Sequence, residues 1–423
     1  MVQHIEPLKR GTVLIIGCIW PEPSSTAAGN RMLQLIEFFL EQGFKTIFAS
    51  TALETHFSMP LNRLKVDKVA IKMNDPSFDT FITKLKPEIV LFDRFLTEEQ
   101  FGWRVAECTP DALRVLDTED LHSLRNAREI EFKNNRKFSI DAWLQNEMTK
   151  REIASIYRCD LSLIISSYEM VLLTSLLKLD EDLLFHLPFM LPEISENEIN
   201  SWLPYKDRHD FIYIGNGKHA PNVDAIIWLK QEIWPKIRKM LPDTNLFIYG
   251  NYLPKHIEEM HKPEEGFWIK GWVDDAKTVM GRSKINLVPL RFGAGIKGKL
   301  VLAMQMGTPS ITTSIGAEGM HESLPWSGEI VENSEEFAQA AVGLYNDSVV
   351  WYRAQRNAIK IINDLYQKEI HRNRLKFKII ELQQNIKKHR IKNFTGAMLQ
   401  HQTLRSTKYF SKWIEEKNAR NSP

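Results

Sequence analysis

Short apolar runs alternate with amphipathic helical patterns along this chain, and the alternation runs its course twice. In the first half "TVLIIGCI", "FKTIFAS", "EIVLFDRF", "ALRVLDTED" and "RCDLSLIISS" read as strands, with "NRMLQLIEFFLEQG" and "SFDTFITKLKP" as helices among them. The apolar runs are continuous, as in strands covered on both faces, and strand–helix alternation specifies a parallel sheet flanked by helices. The segment "HLPFMLPEISENEINSWLPYKDRHD" interrupts with prolines and polar residues, which marks a boundary. The pattern restarts in "FIYIGN", "PNVDAIIWLKQEIWPKIRKM", "TNLFIYGN", "GFWIKG", "KINLVPL" and "PSITTSIG". A chain of 423 residues is also too long for one ordinary core. The expected fold class is therefore α/β, with two doubly wound Rossmann-like domains facing a cleft and a helical C-terminal extension. Residues 1–200 form the first domain in this reading, 201–365 the second and 366–423 the extension.

Composition narrows the class further. With 43% hydrophobic and 26% charged residues the chain is globular rather than disordered. No apolar run reaches the about 18 residues that span a bilayer, and "TVLIIGCIW" is followed at once by Pro21 and Pro23. Cys18, Cys108 and Cys159 are too widely spaced for a disulfide framework or a metal-ligand pair. A cytoplasmic protein is expected. Charge is uneven: residues 349–423 hold 17 Lys and Arg against 5 Asp and Glu, leaving the preceding body acidic. Such an extension suits an anionic membrane surface or another subunit, or is a solvated helical face. Its aromatics follow helical spacing, which argues against nucleic acid. Tyr409, Phe410 and Trp413 among its lysines and arginines suit a membrane interface.

The chemistry concentrates in "INLVPLRFGAGIKGKLVLAMQMGTPSITT", a strand, a glycine loop, a helix and a strand. Gly293, Gly295 and Gly298 fit the G-x-G-x-x-G spacing of a dinucleotide-binding turn, and Glu318 lies 20 residues beyond where a ribose-binding acid is expected. Such a turn ordinarily opens its domain, whereas this one follows at least three strands. The physical content stands in either case. Glycines let backbone N–H groups approach an anion, the helix start favours negative charge, and Lys297 and Lys299 add cations. A diphosphate fits without an obligatory metal; a tight turn with solvated lysines is the plain alternative.

"PLRFGAGIKGKLVLAMQMGTPSITTSIGAEGM" resembles the donor segment of family-4 glycosyltransferases, a retaining family with the two-domain GT-B fold. The likeness is strongest to a bacterial subgroup active in surface polysaccharide synthesis. "YIGNGKHAPNVDAIIWLKQEIWPKIRKMLPDTNLFIYG", "WPEPSSTAAGNRMLQLIEFFLEQGF", "LDTEDLHSLR" and "RCDLSLIISSYE" extend it from Gly11 to Leu365. The resemblance implies transfer of a hexose-type unit from a nucleoside diphosphate sugar to a glycan or lipid-linked acceptor with retention, and no cofactor. In cell-surface polysaccharide or lipopolysaccharide synthesis this places the enzyme at the inner face of the cytoplasmic membrane. It further implies donor contacts from Gly29 and Arg31; from Gly215, Asn216, Gly217 and Lys218; from Gly271 and Val273; and from Gly293, Ala294, Gly295, Ile296 and Lys297. Two glutamates with seven residues between them commonly hold donor sugar and ribose in the family. Here Ala294 and Leu302 occupy those positions, so Glu318 is the substitute acid, or the chain is a catalytically impaired binding protein.

Asp117, Glu119, Asp120 and His122 end an apolar strand, where an open sheet presents residues to its cleft. Asp120 and His122 are the expected acceptor-side catalytic pair, with Lys297 opposite on the leaving diphosphate. Helix capping is the structural alternative for the same acids. Asp93 and Arg94 end the preceding strand nearby.

Overall fold

The computed structural model describes residues 11–420, apart from the side chains of 402–405. The ends of the first and last expected segments, residues 1–10 and 421–423, lie outside the described residues. Among the described residues thirteen strands form two all-parallel sheets. The first contains β1 (Thr12–Gly17), β2 (Lys45–Ser50), β3 (Asp67–Ala70), β4 (Ile89–Asp93), β5 (Leu113–Asp117), β6 (Leu161–Ile164) and β7 (Leu184–His186), in the order β3-β2-β1-β4-β5-β6-β7. The second contains β8 (His209–Ile214), β9 (Leu246–Tyr249), β10 (Phe267–Gly271), β11 (Ser283–Val288), β12 (Ser310–Thr312) and β13 (Gly328–Ile330), in the order β10-β9-β8-β11-β12-β13. In both, the order reverses beside the first strand of the sheet. That switch point opens a crevice at the strand C-termini, and the two crevices face each other.

The continuous apolar runs are explained by burial on both sides. Every residue of β4, β5 and β6 is buried. Val13, Ile15, Leu91 and Val115 pack on one layer of helices while Leu14, Ile16, Val90 and Leu116 pack on the other. At about 25 cal/mol per Å² such residues supply most of the drive to fold.

The C-terminal region crosses between the domains. Helix Ser348–Leu365 buries Trp351, Ala354, Ala358, Ile361 and Ile362 in the second core. Leu191 then clasps the crossing chain, donating to Tyr366 O at 2.8 Å and accepting from Lys368 N at 2.8 Å. Helix Lys368–Lys392 inserts Leu375, Ile379, Ile380 and Leu382 into the first core, and helix Phe394–Arg420 lies over helices Phe95–Cys108 and Glu147–Arg158. Much of the excess positive charge meets the acidic body here: Arg372 pairs with Glu41, Arg390 with Asp160, and Lys408 with Glu107. Among the described residues no helix is long and apolar enough to cross a membrane.

One buried ion pair fixes the floor of the first crevice. Arg31, 2% exposed, donates through Nε and Nη2 to Asp117 Oδ1 at 2.9 and 2.8 Å and through Nη1 to Leu187 O at 2.7 Å. This corrects the expectation that Arg31 meets the donor: its guanidinium ties the first helix to β5 and the chain after β7. Arg31→Met should lower unfolding stability by about 3–5 kcal/mol in denaturant titration, because Asp117 is left buried and unpaired.

Candidate functional site: the cleft between the two sheets

The glycine loop leaves β11 and enters helix Gly298–Gln305, whose first turn receives no side-chain cap. Its leading N–H groups are therefore available to an anion. Gly295 takes a left-handed φ of 65°, and a Cβ there would stand 2.6 Å from Asp120 Cβ of the first domain. A Cβ at Gly298 would stand 2.5 Å from Ala27 Cβ. The loop lies against the opposite domain and needs glycine in order to do so.

Two first-domain side chains hold it there. Glu169, fully buried in helix Ser167–Val171, accepts from Gly295 N at 2.9 Å and from Leu121 N at 3.0 Å through Oε1, while Oε2 has no partner. Burial, then the charge of Asp120, push its carboxyl up to about 8. Arg128, 5% exposed at its side chain, donates to Gly293 O at 2.7 Å and to both oxygens of Glu318 at 2.8 Å each. Both oxygens of Glu318, the acid expected at the ribose, are thus engaged by Arg128 across the cleft.

The lysines sit deep beside this seam. Lys297 is 7% exposed and donates to Gly295 O at 2.7 Å; burial pushes its ammonium down to about 8 although Glu318 pulls the other way. Lys299 is half-buried, donates to Tyr213 OH at 2.8 Å and Asn222 Oδ1 at 2.6 Å, and is pushed down to about 7 by burial. Their full charge is disfavoured in the protein alone. An anion placed beside either ammonium would restore it.

On the facing side, Asp120 is buried and receives Arg125 Nη1 at 2.5 Å, with His122 Nε2 3.2 Å from its other oxygen. Burial would raise the Asp120 carboxyl, but Arg125 and His122 hold it below its usual range. Burial pushes the His122 imidazole down to about 3 against the pull of Asp120, so it is neutral at pH 7. A neutral imidazole beside an ionised carboxylate can orient a hydroxyl through hydrogen bonds. Beneath them Gly29 lines a small cavity with Asp93, Arg94 and Glu119. Arg94 and Glu119 hold left-handed φ values of 72° and 64°, and burial, then Asp117, push Glu119 up to about 8.

The remaining expected donor residues form a second group at the mouth. Gly215, Asn216, Gly217 and Lys218 pack on the turn after β9, with Gly217 N donating to Asn251 O at 2.9 Å and Lys218 Nζ 3.6 Å over the Tyr252 ring. Asn222 links them inward, donating to Asn216 O at 2.9 Å while accepting from Lys299. Gly271 accepts from Gly250 N at 2.9 Å, and Val273 is half-buried beyond it. Phe57 of the first domain meets Tyr252 and Trp272 with ring centroids 5.4 and 5.3 Å apart. Aromatic faces at such a mouth can take a nucleobase. Ala294 packs against the first-domain core and Ile296 is buried in the second.

Leu302 points away from this seam. It is half-buried in an apolar cluster with Ile214, Tyr249, Val279 and Met306. Leu302→Glu should therefore cost about 1–3 kcal/mol of stability and bring no gain in nucleotide affinity, read by denaturant titration and calorimetry. Gly295→Ala should be more damaging to binding: it strains the backbone by about 1–2 kcal/mol and pushes the loop off Asp120. Nucleoside diphosphate affinity should fall at least about tenfold.

Residues 208–347, which span the second sheet, match the model of the family described as Glycosyl transferases group 1. No curated protein matches the sequence. The structure is similar to a glycosyltransferase from Rickettsia africae (TM-score 0.64, 13% identity, 89% of this chain and 100% of that one). It is similar also to the Anabaena protein HepE in complex with UDP and glucose (TM-score 0.62, 12% identity, 86% and 97%). A third solved structure, WaaG, a glycosyltransferase involved in lipopolysaccharide biosynthesis, matches with TM-score 0.59, 11% identity and coverage of 87% and 99%. The shared architecture is the GT-B fold: two parallel sheets whose switch points face across one cleft. The residues that match the group 1 glycosyl transferase model include the glycine loop with Lys297 and Lys299, within a chain of GT-B fold.

Proposed function

We propose that the protein moves a hexose-type sugar from a nucleoside diphosphate sugar to a hydroxyl of a glycan or lipid-linked acceptor, with retention of configuration, in cell-surface polysaccharide or lipopolysaccharide assembly. One observation carries this reading: buried Lys297 and half-buried Lys299, both of lowered basicity, flank an uncapped helix start on a glycine loop that faces Asp120 and His122. The loop N–H groups, Lys297 and Lys299 take the charge of the diphosphate as the bond from the anomeric carbon to its oxygen breaks. Asp120 and His122 orient the acceptor hydroxyl, whose oxygen bonds to that carbon on the face the diphosphate leaves, as its proton passes to the departing diphosphate oxygen. No metal is assigned to either step. HepE has been captured with UDP-glucose, and TarM of S. aureus with UDP and alpha-GlcNAc-glycerol, which supports starting with uridine nucleotides.

Calorimetry against a panel of nucleoside diphosphates and their sugars tests the donor half. One nucleotide series should bind, and Lys297→Ala should weaken the diphosphate far more than the free nucleoside. No binding across the panel at millimolar concentration would make the chain a binding protein that has lost its donor. The lysines add a pH signature. Because an anion raises their pKa from about 7 and about 8, diphosphate binding at pH 8 should take up protons, measured from the heat in buffers of different ionisation enthalpy. Lys299→Met should lower that uptake.

The acceptor side of the proposal includes an anionic membrane surface. On helix Phe394–Arg420, Phe394, Tyr409, Phe410 and Trp413 are 75%, 66%, 63% and 57% exposed, among Lys412, Lys417 and Arg420. The opposite face is engaged, with Ser411 and Glu415 on Arg104 and Gln400 on Arg158 O. Exposed aromatics amid basic residues suit the interface of anionic lipid. Replacing Tyr409, Phe410 and Trp413 by Ser should reduce binding to phosphatidylglycerol vesicles at least about tenfold, leaving nucleotide affinity unchanged. Unchanged vesicle binding would remove the membrane from the proposal.

A further inference from the structure

At the end of the first sheet opposite the cleft, a cavity of about 270 Å³ lies between the N-terminal ends of β5 and β6 and the last two helices. Its walls include Arg114, Arg158, Asp160 and Arg390. Arg158 is occupied, with Nε 2.9 Å from Glu98 Oε1. Asp160 is occupied too: Arg390 donates through Nε and Nη2 to its two oxygens at 2.8 Å each, and the Arg114 backbone N–H donates to Oδ2 at 2.8 Å. Burial alone would push the Asp160 carboxyl up, yet the Arg390 hydrogen bonds and the Arg114 charge hold it below its ordinary value.

The side chain of Arg114 is left over. The residue is 8% exposed, its Nε has no partner, and its nearest carboxylate oxygen, Asp160 Oδ1, is 3.6 Å from Nη2. Three guanidiniums thus share two carboxylates around an open volume. A buried guanidinium with unmade hydrogen bonds is costly, and a planar fork of N–H donors matches an oxyanion best. The volume lies just under the ~300 Å³ of the smallest drug-like sites, which fits a phosphate with a small substituent and excludes a nucleotide sugar.

We propose that this cavity is a second site, separate from the donor cleft, that binds a phosphate group on Arg114. Its occupant links β5 and β6 to helix Phe394–Arg420, which forms one wall through Gly396 and Gln400. The same helix carries the exposed aromatics, so the phosphate has two possible sources: free in solution, or the headgroup of a lipid. The site depends on neither the transferase reading nor the membrane reading.

The test uses the full-length chain, melted with and without inorganic phosphate or short-chain phosphatidic acid, with chloride at equal ionic strength as control. Wild type should gain a few degrees with one of these ligands. A response to inorganic phosphate identifies a free anion; a response to phosphatidic acid alone identifies a headgroup. Arg114→Met should abolish the gain and, without ligand, melt no lower than wild type, because an incompletely paired buried charge has been replaced by an apolar chain of similar length. Ala106→Leu, which narrows the cavity and keeps every charge, should weaken the same ligand at least about tenfold. A gain that persists in both variants, or no gain with either ligand, overturns the site. So does an Arg114→Met protein that melts well below wild type without ligand.

Discussion

The contact of Gly295 with the first domain is the constraint on which the rest of the cleft depends. A Cβ at Gly295 would stand 2.6 Å from Asp120 Cβ, so glycine is required there, and its N–H donates to Glu169. Once that contact forms, Arg128 can reach Gly293 O and Glu318. The loop and Lys297 then lie beside Asp120, while Lys299 is held by Tyr213 and Asn222 of the second domain. The loop lysines and the Asp120–His122 pair belong to different domains, more than 170 residues apart in sequence, and are brought together through this loop.

The electrostatics of that cleft suit the anion proposed for it. Lys297 and Lys299 lose basicity through burial, and Glu169 becomes harder to ionise for the same reason. Each shift records a charge held in a poorly solvated place, which is costly for folding and useful for binding. A diphosphate entering such a cleft gains more from each lysine than it would in water, because the surroundings do not reorganise to meet it. Arg31 and Asp117 show the contrasting case: a pair completed within the chain, with hydrogen bonds on each side, which holds the floor and has nothing left to offer a ligand.

Much of the fold could be read from the sequence because strands buried on both faces leave uninterrupted apolar runs. The short ones escaped. β3 is "DKVA", largely exposed at the sheet edge, and β7 is "LFH", run together with the prolines that follow. "PNVDAIIWLKQEIWPKIRKM" was legible as a helix, but not the widened turn at Leu229–Ile233, which precedes Pro235, a residue with no N–H to donate. The basic extension read as an appendix because its charge dominates its pattern, yet Leu375, Ile379, Ile380 and Leu382 complete the first core. The glycine loop announced itself through local spacing. Arg128 and Glu169 did not, since their partners Glu318 and Gly295 lie 190 and 126 residues away and no periodicity encodes such a pairing. Arg31 stood in a loop expected to face the cleft, and only the register of β5 shows that Asp117 claims it.

The central claim is that the geometry of the donor loop is set from the opposite domain. A double-mutant cycle on Arg128 and Glu318 measures it most directly, with nucleoside diphosphate affinity as the readout for Arg128→Ala, Glu318→Ala and the pair together. Each single change should weaken binding, and the double variant should be little worse than either, a coupling of about 1–3 kcal/mol. Losses that simply add, or affinities unchanged in all three proteins, would contradict the account.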